Sequence, residues 1–269
     1  MTKLMGGLGN QLFQLAAGMY VAEHAKSRLC LDVSFFENNK CHDGFCLPEI
    51  LNLEKIGIEV SRGTSRLAVP IKVRESKGAI DRAVWFGGII PNWMGLQLRG
   101  YWQIASLAEA MRDVLMDSLH PIEEQFSDCI FLHFRRGDYV IGANKDLHDV
   151  LPSSYYSEGI SFLLSRFDNC PILVVSDDLE YAKSAVENLP SADYRFIDFE
   201  DSFSTFRAMT TCRGAICANS SFSWWAAFFQ ANRKCWVLPQ TWDAIHPELA
   251  YLRHPSGSVQ AANTLVVLG

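Results

Sequence analysis

Apolar positions along this chain recur at two periods, one helical and one extended. Leu12, Leu15, Ala16, Met19, Val21 and Ala22 fall at helical spacing and predict a helix from Gln11 to about Lys26. It follows a short strand end at Leu4-Met5 and a loop, Gly6-Gly7-Leu8-Gly9-Asn10. Leu29 to Val33 reads as the next strand. From residue 37 to 80, charges, glycines and turn residues break the pattern, and few elements are expected. The apolar stretch from Trp85 to Leu98 is interrupted by Gly87, Gly88 and Pro91. A helix from about Leu107 to Leu119 ends before Pro121.

Beyond Pro121 the alternation is more regular. Cys129 to His133 is an apolar run that predicts a buried strand, and a helix from Ser154 to Arg166 follows Pro152. Pro171 to Val175 is a second buried strand, followed by a helix from Tyr181 to Asn188 that Asp177 or Asp178 would cap. Tyr194 to Ile197 is a strand, Ser202 to Cys212 a helix and Gly214 to Ala218 a strand. A helix beginning near Asn219 runs to about Gln230, and Cys235 to Leu238 is expected as the last strand, stopped by Pro239. Strands alternating with helices imply an α/β protein with parallel sheets and right-handed crossovers. The chain has 269 residues, enough for one large domain or two of about 130 residues. The change in pattern suggests domains at 1–125 and 126–269.

Composition narrows the function classes. Hydrophobic residues make up 49% and charged residues 20%, as in a globular protein rather than a disordered one. The formal net charge of −6 offers no basic surface and argues against nucleic acid as a partner. Neither a secretory signal nor a run long enough to span a membrane is expected, so the cytoplasm is the expected compartment. The eight cysteines are scattered, several within apolar strands, as suits reduced thiols. Cys41/Cys46 and Cys212/Cys217 share a spacing too wide for a zinc knuckle, and no metal is expected.

Three expected strand ends carry polar residues that packing does not explain. The first is His133-Phe134-Arg135-Arg136-Gly137-Asp138, where two arginines offer planar donor forks suited to phosphate. The second is Asp177-Asp178, carboxylates able to accept from a purine amine or simply to cap a helix. The third is Ser220-Ser221-Phe222-Ser223, at a helix N-terminus that favours phosphate or is merely N-capped. In a doubly wound sheet all three emerge along one edge, where ligands bind. Together they describe a pocket for a guanine nucleoside diphosphate. The N-terminal loop has two readings. Gly7 and Gly9, with Asp32 closing the next strand, partly mimic a dinucleotide fingerprint, although Leu12 replaces its third glycine. Alternatively, the loop meets a ligand through its backbone, with Asn10 and Gln11.

Four segments carry a family resemblance: Gly6 to Gln14, Gly100 to Gln103, His133 to Tyr139 and Asn219 to Trp225. In type and order they resemble the signature blocks of bacterial α-1,2-fucosyltransferases, glycosyltransferase family eleven. The resemblance implies a GT-B architecture of two Rossmann-like domains with parallel sheets facing across a cleft. The N-terminal domain would serve the acceptor and the C-terminal domain would bind GDP-fucose. It implies transfer of L-fucose from GDP-β-L-fucose to the 2-hydroxyl of a terminal galactose, with inversion and without a metal; GDP-fucose is then a co-substrate, and no cofactor is expected. By the same resemblance, His133, Arg135 and Arg136 meet the donor, an arginine stabilising the charge on departing GDP. Ser220, Ser221 and Phe222 line the phosphate side, Asp177 or Asp178 the guanine side, and Asn10 and Gln11 approach from the acceptor domain. Asp138 is the candidate base, or an internal partner of an arginine.

Three competitors stand beside this reading. A nicotinamide-dependent oxidoreductase would use Gly7, Gly9 and Asp32 but leaves the arginine and serine strand ends unexplained. A metal-dependent transferase would need an Asp-x-Asp motif, for which Asp198-Phe199-Glu200 is the nearest match. A non-catalytic glycan-binding protein would use Trp93, Trp102, Trp224 and Trp225 as sugar platforms, although large aromatics are more often core. A lipid-linked acceptor would bring the protein to the inner membrane face without an anchor of its own.

Overall fold

The computed structural model describes residues 1–39, 43–63, 71–90, 95–136, 151–168, 170–199, 201–230, 235–242, 253–256, 258–261 and 264–268. The chain divides into two compact units, Met1–Pro121 and Ile122–Gly269.

The first unit is built on strands β1 (Thr2–Lys3), β2 (Cys30–Asp32), β3 (Glu59–Ser61), β4 (Ile71–Arg74) and β5 (Leu96–Arg99), in the order β3-β2-β1-β5-β4. All four pairings are parallel. Helix α1 (Leu8–His24) follows β1, with α2 (Phe35–Asn38), α3 (Leu47–Ile50), α4 (Ala79–Ile89), α5 (Ala105–Ala110) and α6 (Arg112–Ser118) later. Helix α1 starts almost a turn earlier than its apolar spacing predicts. Gly7 is the extended cap residue, and Gln11 N donates to Gly7 O at 3.1 Å. Strands β3 and β4 lie where few elements were expected. As sheet edges they bury little: Glu59 and Val60 are exposed, as are Lys72 and Arg74 around buried Val73, so neither leaves an apolar run to read. The helix expected over 107–119 breaks at Met111, whose backbone leaves the α region.

The second unit contains β6 (Ile130–Phe134), α7 (Ser153–Arg166), β7 (Ile172–Ser176), α8 (Leu179–Val186), β8 (Tyr194–Phe196), α9 (Ser202–Thr211), β9 (Gly214–Ile216), α10 (Ser221–Phe228), β10 (Cys235–Pro239), β11 (Val259–Ala261) and β12 (Thr264–Leu268). The sheet order is β11-β12-β10-β9-β6-β7-β8. Strands β10, β9, β6, β7 and β8 are parallel, whereas β12 is antiparallel to β10 and to β11. Strand β10 is therefore not the last, and the sheet is mixed at that edge. The antiparallel pair β11–β12 lies outside the sequence expectations, since no Asn-Gly or Asp-Gly signal stands between residues 259 and 268. Strand β6 is buried at all five positions, as a central strand covered on both faces must be. On one face Ile130, Leu132 and Phe134 pack with Tyr155, Ile160 and Leu163 of α7. On the other, the His133 ring lies 6.2 Å from that of Phe222 on α10.

Each sheet reverses its strand order about its first strand. In unit one, β2 and β3 lie to one side of β1, and β5 and β4 to the other; in unit two, β7 and β8 flank β6 on one side, β9 and β10 on the other. Ligands in open α/β sheets bind beyond the carboxyl ends of the strands at such a reversal. The segments there are those after β1 and β5, and those after β6 and β9.

Candidate functional site

The C-terminal reversal gathers the polar residues expected at the donor. Strands β6 and β7 pair with Phe134 opposite Ser176. Extending that register one step places Arg135 beside Asp177, and Arg135 Nη1 lies 2.7 Å from Asp177 Oδ2. The other oxygen of Asp177 accepts from Arg136 N at 2.9 Å. Asp177 thus clasps the arginine segment with both oxygens. The Arg136 guanidinium lies 4.0 Å from the Tyr181 ring centroid, and its Nε is 3.8 Å from Asp178 Oδ2, beyond hydrogen-bond reach. Asp178 caps α8 by accepting from Tyr181 N at 3.0 Å; the capping reading is the one its geometry serves. Both arginine side chains keep about a quarter of their surface exposed (27%), so each is held yet open to a ligand.

His133 is buried at the same strand end, and among the described residues its Nδ1 has no hydrogen-bond partner. Burial, and secondarily the Arg135 charge, lower its pKa to about 4 against a weaker opposing effect of Asp177. The ring is therefore neutral at neutral pH. Across from it, Ser220 caps α10, its hydroxyl accepting from Phe222 N at 3.3 Å. Ser221 and Phe222 are half-buried and open the helix, whose positive end favours an anion. The rest of α10 is an anchor. Trp224 and Trp225 are fully buried, Trp224 stacking on Phe228, and Asn219 Nδ2 donates to Trp242 O at 3.1 Å. Trp102 is also buried, so these three tryptophans are core and not sugar platforms; Trp93 lies outside the described residues. So does Asp138, the candidate base.

At the N-terminal reversal the two remaining signature blocks meet. Gln11, expected at the ligand, is fully buried and committed to backbone. Its Nε2 donates to Gly6 O at 2.9 Å and Gly44 O at 2.7 Å, and its Oε1 accepts from Cys46 N at 2.9 Å. That saturates both amide hydrogens and ties Gln11 into the loop. Gln14 does likewise, accepting from Met5 N at 2.9 Å and donating to Gly100 O at 3.0 Å. Asn10 is only half-buried, and its Oδ1 accepts from Gln103 Nε2 at 2.7 Å. Two residues outside the sequence expectations take part, one in each unit. Glu75 accepts from Tyr101 N at 2.7 Å and Trp102 N at 2.9 Å, and Tyr181 supports Arg136. Neither carries a local signal, because each acts through an element distant in sequence.

The oxidoreductase reading loses its acidic residue. Asp32 is buried, and its carboxylate accepts from Gln97 Nε2 and Ser34 N, both at 3.0 Å. The described cysteines are free thiols. Among the described residues no group of three His, Cys, Asp or Glu could hold a metal ion, and no helix is long and apolar enough to cross a membrane.

Known proteins share this sequence and this fold. O-antigen biosynthesis glycosyltransferase WbnK of Escherichia coli is 28% identical over 290 residues, covering 90% of this chain and 94% of that protein. An alpha-1,2-colitosyltransferase of the same organism is 28% identical over 256 residues, covering 85% and 86%. Among solved structures, fucosyltransferase NodZ from Bradyrhizobium superposes with a TM-score of 0.53 at 10% identity, covering 87% of this chain and 93% of that one. NodZ alpha-1,6-fucosyltransferase soaked with GDP-fucose gives 0.50 at 12% identity, covering 87% and 92%. The likeness establishes the fold as GT-B-type, two Rossmann-like α/β units, as the resemblance implied. The model of the family described as glycosyl transferase family 11 matches residues 89–251, more than half of the sequence, and the chain belongs to that family as a glycosyltransferase of the fucosyltransferase type.

Proposed function

We propose that this enzyme transfers L-fucose from GDP-β-L-fucose to the 2-hydroxyl of a terminal galactose, inverting the anomeric carbon and needing no metal. The observation that carries the donor side is the clustering of His133, Arg135, Ser220 and Phe222 around the C-terminal strand-order reversal. In this reading the acceptor hydroxyl bonds to C1 of fucose as the bond from C1 to the β-phosphate oxygen breaks. GDP leaves with the electron pair, and the hydroxyl proton passes to a base, for which Asp138 is the candidate. Arg135, aimed by Asp177, meets the charge that grows on the departing phosphate. Preorganised charge of this kind commonly contributes a large part of the barrier reduction. It takes the role a divalent ion would otherwise fill. The N-terminal unit serves the acceptor, and the reaction is assigned to the cytoplasm, at the inner membrane face when the acceptor is lipid-linked.

The related alpha-1,2-colitosyltransferase favours one second reading, in which the transferred sugar is colitose. A single experiment separates them: GDP-fucose and GDP-colitose are each offered with a panel of β-galactosides, with and without EDTA, and the product linkage is read by NMR. The proposal expects an α-1,2-fucosylated product at an undiminished rate in EDTA. Transfer of colitose alone, another linkage, or loss of turnover on chelation would each overturn its corresponding part.

A further inference from the structure

The N-terminal reversal presents one aromatic ring that its surroundings fix but do not cover. Tyr101 is 44% exposed, although Trp102 beside it is 1% exposed. Its backbone is held on both sides. Gly100 O accepts from Gln14, and the Glu75 carboxylate accepts from the N–H groups of Tyr101 and Trp102. Trp102 takes a left-handed φ of +54°, an unfavourable conformation for a bulky residue that persists only where its surroundings impose it. The Tyr101 ring lies against Gly6. A Cβ built on Gly6 would sit 3.4 Å from Tyr101 Cε1 and 2.7 Å from Asn10 Nδ2, and φ there is +75°. The Asn10 amide therefore fills the space that a side chain at Gly6 would take, and the Tyr101 ring borders it at contact distance. The Asn10 amide is in turn joined to that of Gln103.

A preorganised aromatic face bordered by two planar amides suits a pyranose. The sugar's C–H face packs on the ring, and its hydroxyls exchange hydrogen bonds with the amides. Prior fixing of the ring reduces the entropy lost on binding. We propose that Tyr101, Asn10 and Gln103 form the subsite for one pyranose ring of the acceptor glycan, and that Glu75 is the positioning residue that sets it. This assignment rests on reading the N-terminal unit as the acceptor side.

The test uses the full chain in initial-rate assays with GDP-fucose and a β-galactoside, with saturation-transfer NMR on methyl β-galactoside alone. Tyr101→Ala is expected to raise the acceptor KM about 10-fold, the effect of losing one aromatic contact, with the donor KM unmoved. Tyr101→Phe should rescue the affinity lost in the alanine variant. Glu75→Gln should shift the acceptor KM in the same direction, again without moving the donor KM. The NMR signal should be present in the wild type and lost in Tyr101→Ala. Because that signal needs no turnover, a wild type that binds the galactoside but transfers no fucose defeats the proposed reaction and leaves the subsite standing. An unchanged acceptor KM in Tyr101→Ala, or a rise in the donor KM instead, overturns the subsite. Equal rises in both constants in Glu75→Gln would mean general loosening and overturn its positioning role.

Discussion

Arg135 is joined to Asp177 because two parallel strands run in register: Phe134 stands opposite Ser176, and the next step brings guanidinium and carboxylate to 2.7 Å. The pairing withholds some charge from a ligand but fixes the direction of the arginine fork. Asp177→Asn keeps the shape and removes the charge, so the fork should lose its aim. Turnover is expected to fall about 10- to 100-fold, the range for misplaced reacting groups and their supports, with the midpoint of thermal unfolding little changed. Wild-type turnover in this variant would show that the clasp is irrelevant to catalysis.

The arginines themselves carry a stricter expectation. Arg135→Ala and Arg136→Ala should each lower turnover by about 100-fold or more, as loss of an electrostatic donor typically does. Lysine should not rescue either. At position 135 it cannot reproduce the planar fork, and at position 136 it loses the stacked contact with Tyr181 at 4.0 Å. Near-wild-type rates in both alanine variants would sink the mechanism.

His133 makes a prediction in pH. Its pKa in the fold is about 4, against an ordinary value of 6.5. Between these values the unfolded chain binds more protons than the folded one, so stability rises with pH across the window and is lost as pH falls through it. From pH 7 to pH 5 this one group should cost about 2 kcal/mol, taking about 1.4 kcal/mol per pKa unit. Urea unfolding of wild type and His133→Gln at the two pH values isolates it. The variant should be less acid-sensitive by that amount, and an identical pH dependence would remove His133 as the cause.

What the sequence disclosed follows the burial of each strand. Strands β6 and β7 are covered on both faces and read as unbroken apolar runs, so the polar residues at their ends were conspicuous. The edge strands β3 and β4 alternate exposed charges with single buried residues and left no such run. Asp178 and Ser220 were legible as caps because a cap acts within its own turn. The clasp by Asp177 was not, because it depends on a register between segments 41 residues apart. The backbone partners of Gln11 were hidden for another reason: an amide has the same donors and acceptor whether it faces a ligand or a backbone.

The role of Gln11 in the loop can be tested directly. Gln11→Ala strips partners from Gly6 O, Gly44 O and Cys46 N around a fully buried side chain. Each buried polar group left unpaired costs about 1–3 kcal/mol, and water entering the gap will offset part of the sum. A loss of about 2–4 kcal/mol in urea unfolding is therefore expected. Gln11→Glu should be no better, since it turns a carboxylate oxygen toward two carbonyl oxygens that the amide had satisfied. In the folded fraction, a residue that only shapes the loop leaves the KM for donor and acceptor close to wild type, and that is the expected outcome. The opposite pattern, intact stability with a raised KM, would return Gln11 to the ligand.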